Sequence, residues 1–197
     1  MTTTSTRSLR RTLSCCATRS ESGACFSSDR RFRYALWRRW DPRGSSVGFL
    51  LLNPSIADES VLDSTLRRCK AYSVSWGHGQ MFVANIFPLV STDRSVLLTT
   101  PDRDGEPGRN EAHITDLLYR CDILVLGFGN EPSKPKLRYS VTRLRRLFET
   151  LERHGMPAPM ALGLNSNGLP KHPLYIAGHV KPTVYRSWPA WSDPSTE

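Results

Sequence analysis

Residues 47–65 read VGFLLLNPSIADESVLDST, and this stretch decides the fold. Val47 to Leu52 is an almost wholly apolar run, which is typical of a strand buried on both faces of a sheet. The run ends at residues 53–55, Asn-Pro-Ser, which turn a chain more readily than they extend a strand. Two carboxylates, Asp58 and Asp63, follow before the next regular element. Asp63 precedes an amphipathic run, so that it also fits an ordinary helix N-cap.

Three further apolar runs repeat this strand pattern along the chain. The four predicted strands are Val47–Leu52, Met81–Ile86, Ile123–Leu126 and Met160–Leu164. Helical periodicity separates them and predicts helices at Ser64–Trp76, Asn110–Arg120 and Lys134–Arg153. This alternation predicts an α/β fold, a three-layer α/β/α arrangement around a four-stranded parallel sheet with right-handed crossovers.

An antiparallel hairpin precedes the first of these strands. Its second strand, Phe32–Trp37, alternates apolar and polar residues as a half-buried strand does. We expect this hairpin to lie outside the parallel sheet.

The chain divides into three predicted parts: a disordered basic arm (1–22), a single α/β domain (23–180) and a flexible tail (181–197). The arm is rich in Ser, Thr and Arg and has no apolar periodicity. That composition fits an organellar transit peptide, a disordered arm or a mis-assigned upstream start. We expect its deletion to leave the fold intact.

The net charge of +9 is concentrated at the N-terminal end. Residues 1–43 hold ten Arg and three acids, whereas the remaining 154 residues hold 17 Lys or Arg and 15 acids. A basic arm attracts any polyanion and identifies none. The Arg residues of the last helix fit a phosphate-facing surface, and equally the solvated face of an amphipathic helix.

Composition excludes several classes of protein. No apolar run approaches the roughly 18 residues that a membrane span needs. The five cysteines show no C-x-x-C pair, which favours a reducing cytoplasm over a disulfide scaffold or a zinc site. A hard-metal site through Asp58, Asp63 and His172 is disfavoured because such sites gather more carboxylates. No cofactor is expected, and the sequence does not indicate an oligomeric state.

Asparagines follow the predicted strands. Asn53, Asn85 and Asn130 come at or shortly after three strand ends, and the fourth strand leads to Asn165 and then His172. Because the carboxyl ends of parallel strands share one edge of a sheet, these side chains are expected to converge there. The sequence therefore predicts a functional site at this edge.

Five segments carry a resemblance to a known family. They are RYALWRRWDP, LLNPSIAD, the D-x-T that follows it, VANIFPL and GLNSNGLPKHPLYI. Together they cover roughly residues 24–180 and resemble domain-of-unknown-function family 1643, which occurs in bacteria and phages. The resemblance brings no established activity with it.

A more remote resemblance is to the uracil-DNA glycosylase superfamily, whose members have a four-stranded parallel sheet. Leu52-Asn53-Pro54-Ser55 stands where its G-x-N-P motif follows the first strand, and Lys171-His172-Pro173 stands where its His-Pro motif follows the last. Asn85 and Pro88 match T-N-x-x-P after the second strand. Leu52 replaces the usual Gly, and Leu174 replaces the Ser of His-Pro-Ser.

This second resemblance implies cleavage of a base–sugar bond. Asn53 would hold the attacking water, Asp58 would supply a base, and His172 would donate to the departing base or contact the phosphate. Substrate-binding roles fall to Pro54, Ser55, Asn85, Phe87, Asn130 and Lys171, among which Phe87 would stack on the base and Lys171 would contact phosphate.

The alternative function is binding of a nucleotide or nucleic acid without catalysis. The two functions are separated by whether Asn53, Asp58 and His172 surround one pocket.

Overall fold

The apolar run of residues 47–52 lies at the centre of a seven-stranded sheet. The computed structural model describes residues 21–153 and 155–193. Its strands are β1 (Ser22–Phe26), β2 (Arg33–Arg39), β3 (Ser46–Leu51), β4 (Gln80–Asn85), β5 (Ile123–Leu126), β6 (Met160–Ala161) and β7 (Thr183–Val184). Its α-helices are α1 (Ser64–Ser75), α2 (Val96–Thr99), α3 (Arg109–Arg120) and α4 (Arg138–Arg153).

The strand order across the sheet is β1-β2-β4-β3-β5-β6-β7. Strand β3 pairs in parallel with β4 and β5, and β5 pairs in parallel with β6. The outer strands β1, β2 and β7 pair antiparallel. The predicted mixed α/β fold with a parallel centre is therefore confirmed.

The hairpin belongs to this sheet, and its predicted place outside the sheet is wrong. Strand β2 pairs with β4, with Leu36 opposite Val83. This pairing covers an edge of β4 that would otherwise expose unpaired backbone groups. Strand β2 is consequently buried more fully than a half-buried strand, and both Arg33 and Tyr34 are inaccessible to solvent.

Two hydrophobic cores lie on the two faces of β3. Val47, Phe49 and Leu51 pack in one core with residues of α1, whereas Leu50 and Leu52 pack in the other with residues of α3 and α4. Successive side chains of a strand point to opposite faces, which explains the division. The predicted burial of this strand on both faces is confirmed, since Val47, Phe49 and Leu50 are all 0% exposed.

Described residues on both sides of the predicted domain, 23–180, are also hydrogen-bonded to its sheet. Ser22 opens β1, and the Glu21 carbonyl accepts a hydrogen bond from the Arg39 amide, whereas residues 1–20 of the predicted arm lie outside the described residues. In the predicted tail, β7 pairs with β6 and the Tyr185 side chain is 2% exposed. A deletion that tests the arm should therefore end at residue 20.

Strand β6 is shorter than the predicted Met160–Leu164. Its partner β5 ends at Leu126, which lies opposite Ala161, so that no ladder remains for the following residues. The chain then turns at residues 165–168, where the Gly168 amide donates to the Asn165 carbonyl. No helix within residues 21–153 and 155–193 is long and apolar enough to cross a membrane.

Candidate functional site

A cavity of about 300 Å³ lies at the carboxyl ends of β3 and β4. Its walls come from β2, from the ends of β3 and β4, from the loops that follow them, from the first turn of α1 and from the loop after β6. The polar side chains that line it are Arg33, Asn53, Ser55, Asp63, Ser64, Thr65, Asn85, Ser91, Thr92, Arg94 and His172. The cavity lies at the sheet edge where the sequence predicted a site.

Four of the predicted site residues meet in this cavity: Asn53, Ser55, Asn85 and His172. The other five, Pro54, Asp58, Phe87, Asn130 and Lys171, are not among its lining residues. The structure thus brings two of the three predicted catalytic residues together and leaves Asp58 apart from them.

Asn53 joins the loop after β3 to the loop after β4. Its Nδ2 donates to the Pro54 carbonyl at 3.0 Å and to the Ser91 carbonyl at 2.9 Å. The Ser91 amide returns a hydrogen bond to the Pro54 carbonyl. The amide hydrogens are therefore occupied, and only Oδ1 of this side chain is left for a ligand.

This bridge predicts a stability effect for Asn53→Ala. Lost hydrogen bonds from a partly buried amide cost about 1–3 kcal/mol, and we expect a fall of that size in the free energy of unfolding in urea. Asn130→Ala is the matched control, because Asn130 is exposed and its Oδ1 accepts from one side chain among the described residues, that of Asn167. The control should change stability by less than about 0.5 kcal/mol. Equal urea midpoints for Asn53→Ala and the wild type would contradict the bridge.

Asp58 holds its own loop. Its Oδ1 accepts hydrogen bonds from the amides of Val61 and Ser60, each at 2.8 Å. These bonds keep the pKa of the carboxyl below its usual range. The backbone carbonyl of Asp58 accepts from Arg38. The carboxylate thus stabilises a turn rather than lining the cavity.

Asp63 lines the cavity and caps α1, as its sequence context predicted. Its Oδ1 accepts from the Leu66 amide at 2.8 Å. The amides of Ser64 and Thr65, which open the helix, belong to the N-terminal donors that have no partner within an α-helix.

The remaining predicted binding residues lie away from the cavity. Phe87 is fully buried, with its ring edge-on to Tyr139 at 6.2 Å between centroids. The Asn130 side chain bonds Asn167, and the Lys171 side chain is exposed. Stacking on Phe87 therefore requires a movement of the core.

Arg33 is a buried cation in the wall of the cavity. Its Nη1 donates to the Ala57 carbonyl at 2.8 Å and its Nη2 donates to Asn85 Oδ1 at 3.2 Å. Its Nε has no hydrogen-bond partner in the part of the chain that the structure describes. Burial lowers the pKa of this guanidinium to about 10, which still leaves it protonated at neutral pH.

Asn85 carries a second unused donor. Because a guanidinium only donates, the oxygen of the Asn85 amide must be the atom that faces Arg33. Its Nδ2 has no partner among residues 21–153 and 155–193, and the residue is 1% exposed. Two buried cavity residues thus each keep an N–H without an acceptor.

His172 is a neutral donor among the lining residues of the cavity. Its Nδ1 accepts from the Leu174 amide at 3.4 Å, which places the ring hydrogen on Nε2. Burial, followed by the charge of Arg94, lowers the pKa of the imidazole to about 4. Tyr72 of α1 fixes the following loop by donating to the Ile176 carbonyl at 2.7 Å. The loop that follows His172 is thereby held against α1.

Sequence reasoning missed the two cations of the cavity. Arg33 is a charged residue within the apolar run Phe32–Trp37, and a charge at such a position is the signal that could have identified it. Arg94 follows β4 in a polar loop and shows no comparable signal. The Arg residues of α4 do not face this site: Arg143 pairs with Glu111 at 2.7 Å, and Arg145 pairs with Glu149 at 2.7 Å.

A family model described as "Protein of unknown function (DUF1643)" matches residues 33–174. This match confirms the resemblance to family 1643. No curated protein and no solved structure matches the chain. The resemblance to the uracil-DNA glycosylase superfamily stays a prediction. The matched range contains every residue that lines the cavity.

Proposed function

Since the chain belongs to the DUF1643 family of proteins of unknown function, we propose its function from the cavity: it binds a phosphate-bearing ligand of the nucleotide class. We propose for the domain the three-layer α/β/α arrangement of an open parallel sheet, in which ligands usually bind at the carboxyl edge where this cavity lies. The observation that carries the proposal is the buried, protonated Arg33.

A buried charge is costly unless it is paired. The effective penalty is several kcal/mol per ion, and neutral carbonyl acceptors compensate it only in part. Arg33 has two such acceptors, Ala57 O and Asn85 Oδ1, and keeps an unused N–H. Asp63 lines the same cavity, but within the described residues no hydrogen bond joins it to Arg33, so that an anion in the cavity would supply the charged acceptor that the guanidinium lacks. Phosphate fits this role because a guanidinium binds its oxygens through charge-assisted hydrogen bonds.

Further donors of the cavity suit the same ligand. Arg94 provides a second positive charge, and Ser64 and Thr65 provide amides that have no partner within the helix, at the positive end of the α1 dipole. The cavity of about 300 Å³ is at the small end of ligand sites, which favours a mononucleotide or one nucleotide unit of a strand. Ile56 lines the mouth and is 71% exposed, so that it offers an apolar surface to a base.

Calorimetric titration of the full chain tests this proposal. The ligands are inorganic phosphate, adenosine 5′-monophosphate, adenosine and a short single-stranded oligonucleotide. We expect the two phosphate-bearing small ligands to bind and adenosine to bind far more weakly. A ligand at 100 times its Kd should also stabilise the fold by about 2.7 kcal/mol. Absence of binding by every phosphate-bearing ligand would overturn the proposal.

Hydrolysis of a base–sugar bond is the second candidate, because Asn53 and His172 line the same cavity. His172 would donate its Nε2 hydrogen to the departing base, and Asn53 Oδ1 would hold the water. The base predicted at Asp58 would require its carboxylate to leave the turn that it stabilises. Release of free base, lowered roughly 100- to 10,000-fold by His172→Ala, would support catalysis. Binding without release would leave the binding function alone.

A further inference from the structure

The cavity pairs its many donors with a single acidic side chain. Arg33, Arg94 and Asn85 supply cationic or N–H groups, and Asp63 is the one carboxylate among the lining residues that the structure describes. A carboxylate beside a phosphate site weakens phosphate binding, because like charges repel. A site for phosphate alone would bind better without Asp63. The helix cap alone does not require a carboxylate, since Asn or Ser caps as well, so that the charge of Asp63 points to a second group on the ligand.

The Asp63 carboxylate is fixed and half occupied. Its Oδ1 accepts from the Leu66 amide at 2.8 Å, and this cap bond holds the side chain in one orientation. Within the described residues no hydrogen bond occupies Oδ2. An oriented carboxylate oxygen with no donor of its own is a strong acceptor for a ligand O–H or N–H.

The charges around Asp63 favour a neutral donor over a cationic one. The negative charge of Asp63 raises the pKa of both Arg33 and His172, although burial lowers each pKa by more. The charge of Asp63 therefore already acts on two side chains of the cavity. A ligand ammonium would meet the positive charges of Arg33 and Arg94. A hydroxyl brings no charge and satisfies the free oxygen.

We propose that the ligand is a phosphorylated ribose with free hydroxyls, such as a ribonucleoside 5′-monophosphate, and that Asp63 accepts hydrogen bonds from these hydroxyls. This inference rests on the proposed function and names the ligand within its class. In dinucleotide-binding α/β folds an acidic side chain hydrogen-bonds the ribose 2′-hydroxyl in the same way. Arg33, Arg94 and Asn85 would hold the phosphate, and Asp63 would select the sugar.

The test compares two carboxamide variants against three ligands. Asp63→Asn keeps the helix cap, because Asn caps as well as Asp does, but removes the charge. Asp58→Asn is the matched control from the same loop and outside the cavity. The ligands are inorganic phosphate, adenosine 5′-monophosphate and its 2′-deoxy analogue, titrated by calorimetry into the full chain. Thermal unfolding of each variant verifies its fold.

The expected changes have opposite signs for different ligands. The wild type should bind the ribonucleotide about tenfold more tightly than the 2′-deoxy form, which lacks one hydrogen bond to a charged acceptor. Asp63→Asn should bind inorganic phosphate as tightly as the wild type or several-fold more tightly. It should bind the ribonucleotide about tenfold more weakly and lose most of the preference for ribose. Asp58→Asn should behave as the wild type with all three ligands.

Each other outcome contradicts a defined part of this inference. Equal wild-type affinity for the ribose and deoxyribose ligands would overturn the selection by Asp63 and leave phosphate binding intact. An equal loss of phosphate and ribonucleotide binding in Asp63→Asn would likewise overturn the selection of the sugar by Asp63. Absence of wild-type binding to all three ligands would overturn the proposed function as well. If Asp63→Asn does not fold, two other measurements decide the question. They are the ligand affinities of Asp63→Ser, which also caps the helix, and the preference of the wild type for ribose.

Discussion

Replacing Arg33 by Met should weaken binding of phosphate and nucleotides by about 10- to 100-fold. Hydrogen bonds to charged groups contribute about 1.5–3 kcal/mol, which is the range of this loss. Met fills much of the space of the Arg stem and removes the charge, so that the cavity loses its buried cation without a large void. The binding constant from calorimetry gives the effect, and its salt dependence should fall because an ion contact is lost.

Arg38→Met is the matched control for this variant. Arg38 lies on the same strand, is 8% exposed and donates to the Asp58 carbonyl, as Arg33 donates to the neighbouring Ala57 carbonyl. It does not line the cavity. Both variants free a carbonyl of the same loop, so that both should be destabilised. Only Arg33→Met should lose binding, and an equal loss in the two variants would assign Arg33 a purely structural role.

Gly127→Ala should destabilise the protein by about 1–3 kcal/mol and weaken ligand binding in the same variant. A methyl group at Gly127 would lie 2.7 Å from Pro173 Cδ and 3.2 Å from Leu51 Cδ2. The proline ring is rigid, so that the clash must displace the chain around it. The displaced segment includes His172, which lines the cavity. Urea unfolding and calorimetry measure the two effects.

Gly163→Ala provides the comparison for a glycine after the adjacent strand. A methyl group there would lie 3.8 Å from the side chains of Ile176 and Lys171, which is an ordinary contact distance. We expect stability within about 0.5 kcal/mol of the wild type and unchanged binding. Unchanged stability and unchanged binding in Gly127→Ala would show that the close packing of Pro173 against the end of β5 does not position His172.

The elements that the sequence predicted correctly are those with strong local signals. Strand β3 is apolar at consecutive positions, and Asp63 precedes a run with helical periodicity, so that short-range pattern sufficed for both. The meeting of Asn53, Asn85 and His172 in one cavity followed from topology, because the carboxyl ends of parallel strands lie along one edge. These features depend on neighbours in sequence or on a general rule of sheet assembly.

Other features depended on pairing partners that are distant in sequence. Alternation assigned Arg33 to the polar side of a half-buried strand, but β2 lies between β1 and β4, and the chain buries this charge in the cavity wall. The sequence also offered two acids after β3, and it assigned the catalytic base to Asp58 and the helix cap to Asp63. In the structure the Asp58 carboxylate accepts a hydrogen bond from a backbone amide of its own loop, whereas Asp63 caps α1 and lines the cavity.

The sequence by itself therefore determined the buried strands β3, β4 and β5, the long helices α1, α3 and α4, and the edge of the sheet at which polar residues gather. The tertiary structure alone decided which charges enter the cavity. The reason is physical: apolar periodicity reports the side of an element that faces a core, whereas the burial of a charge depends on acceptors that other segments bring to it. For Arg33 those acceptors are a carbonyl and an amide oxygen that lie 24 and 52 residues away along the chain.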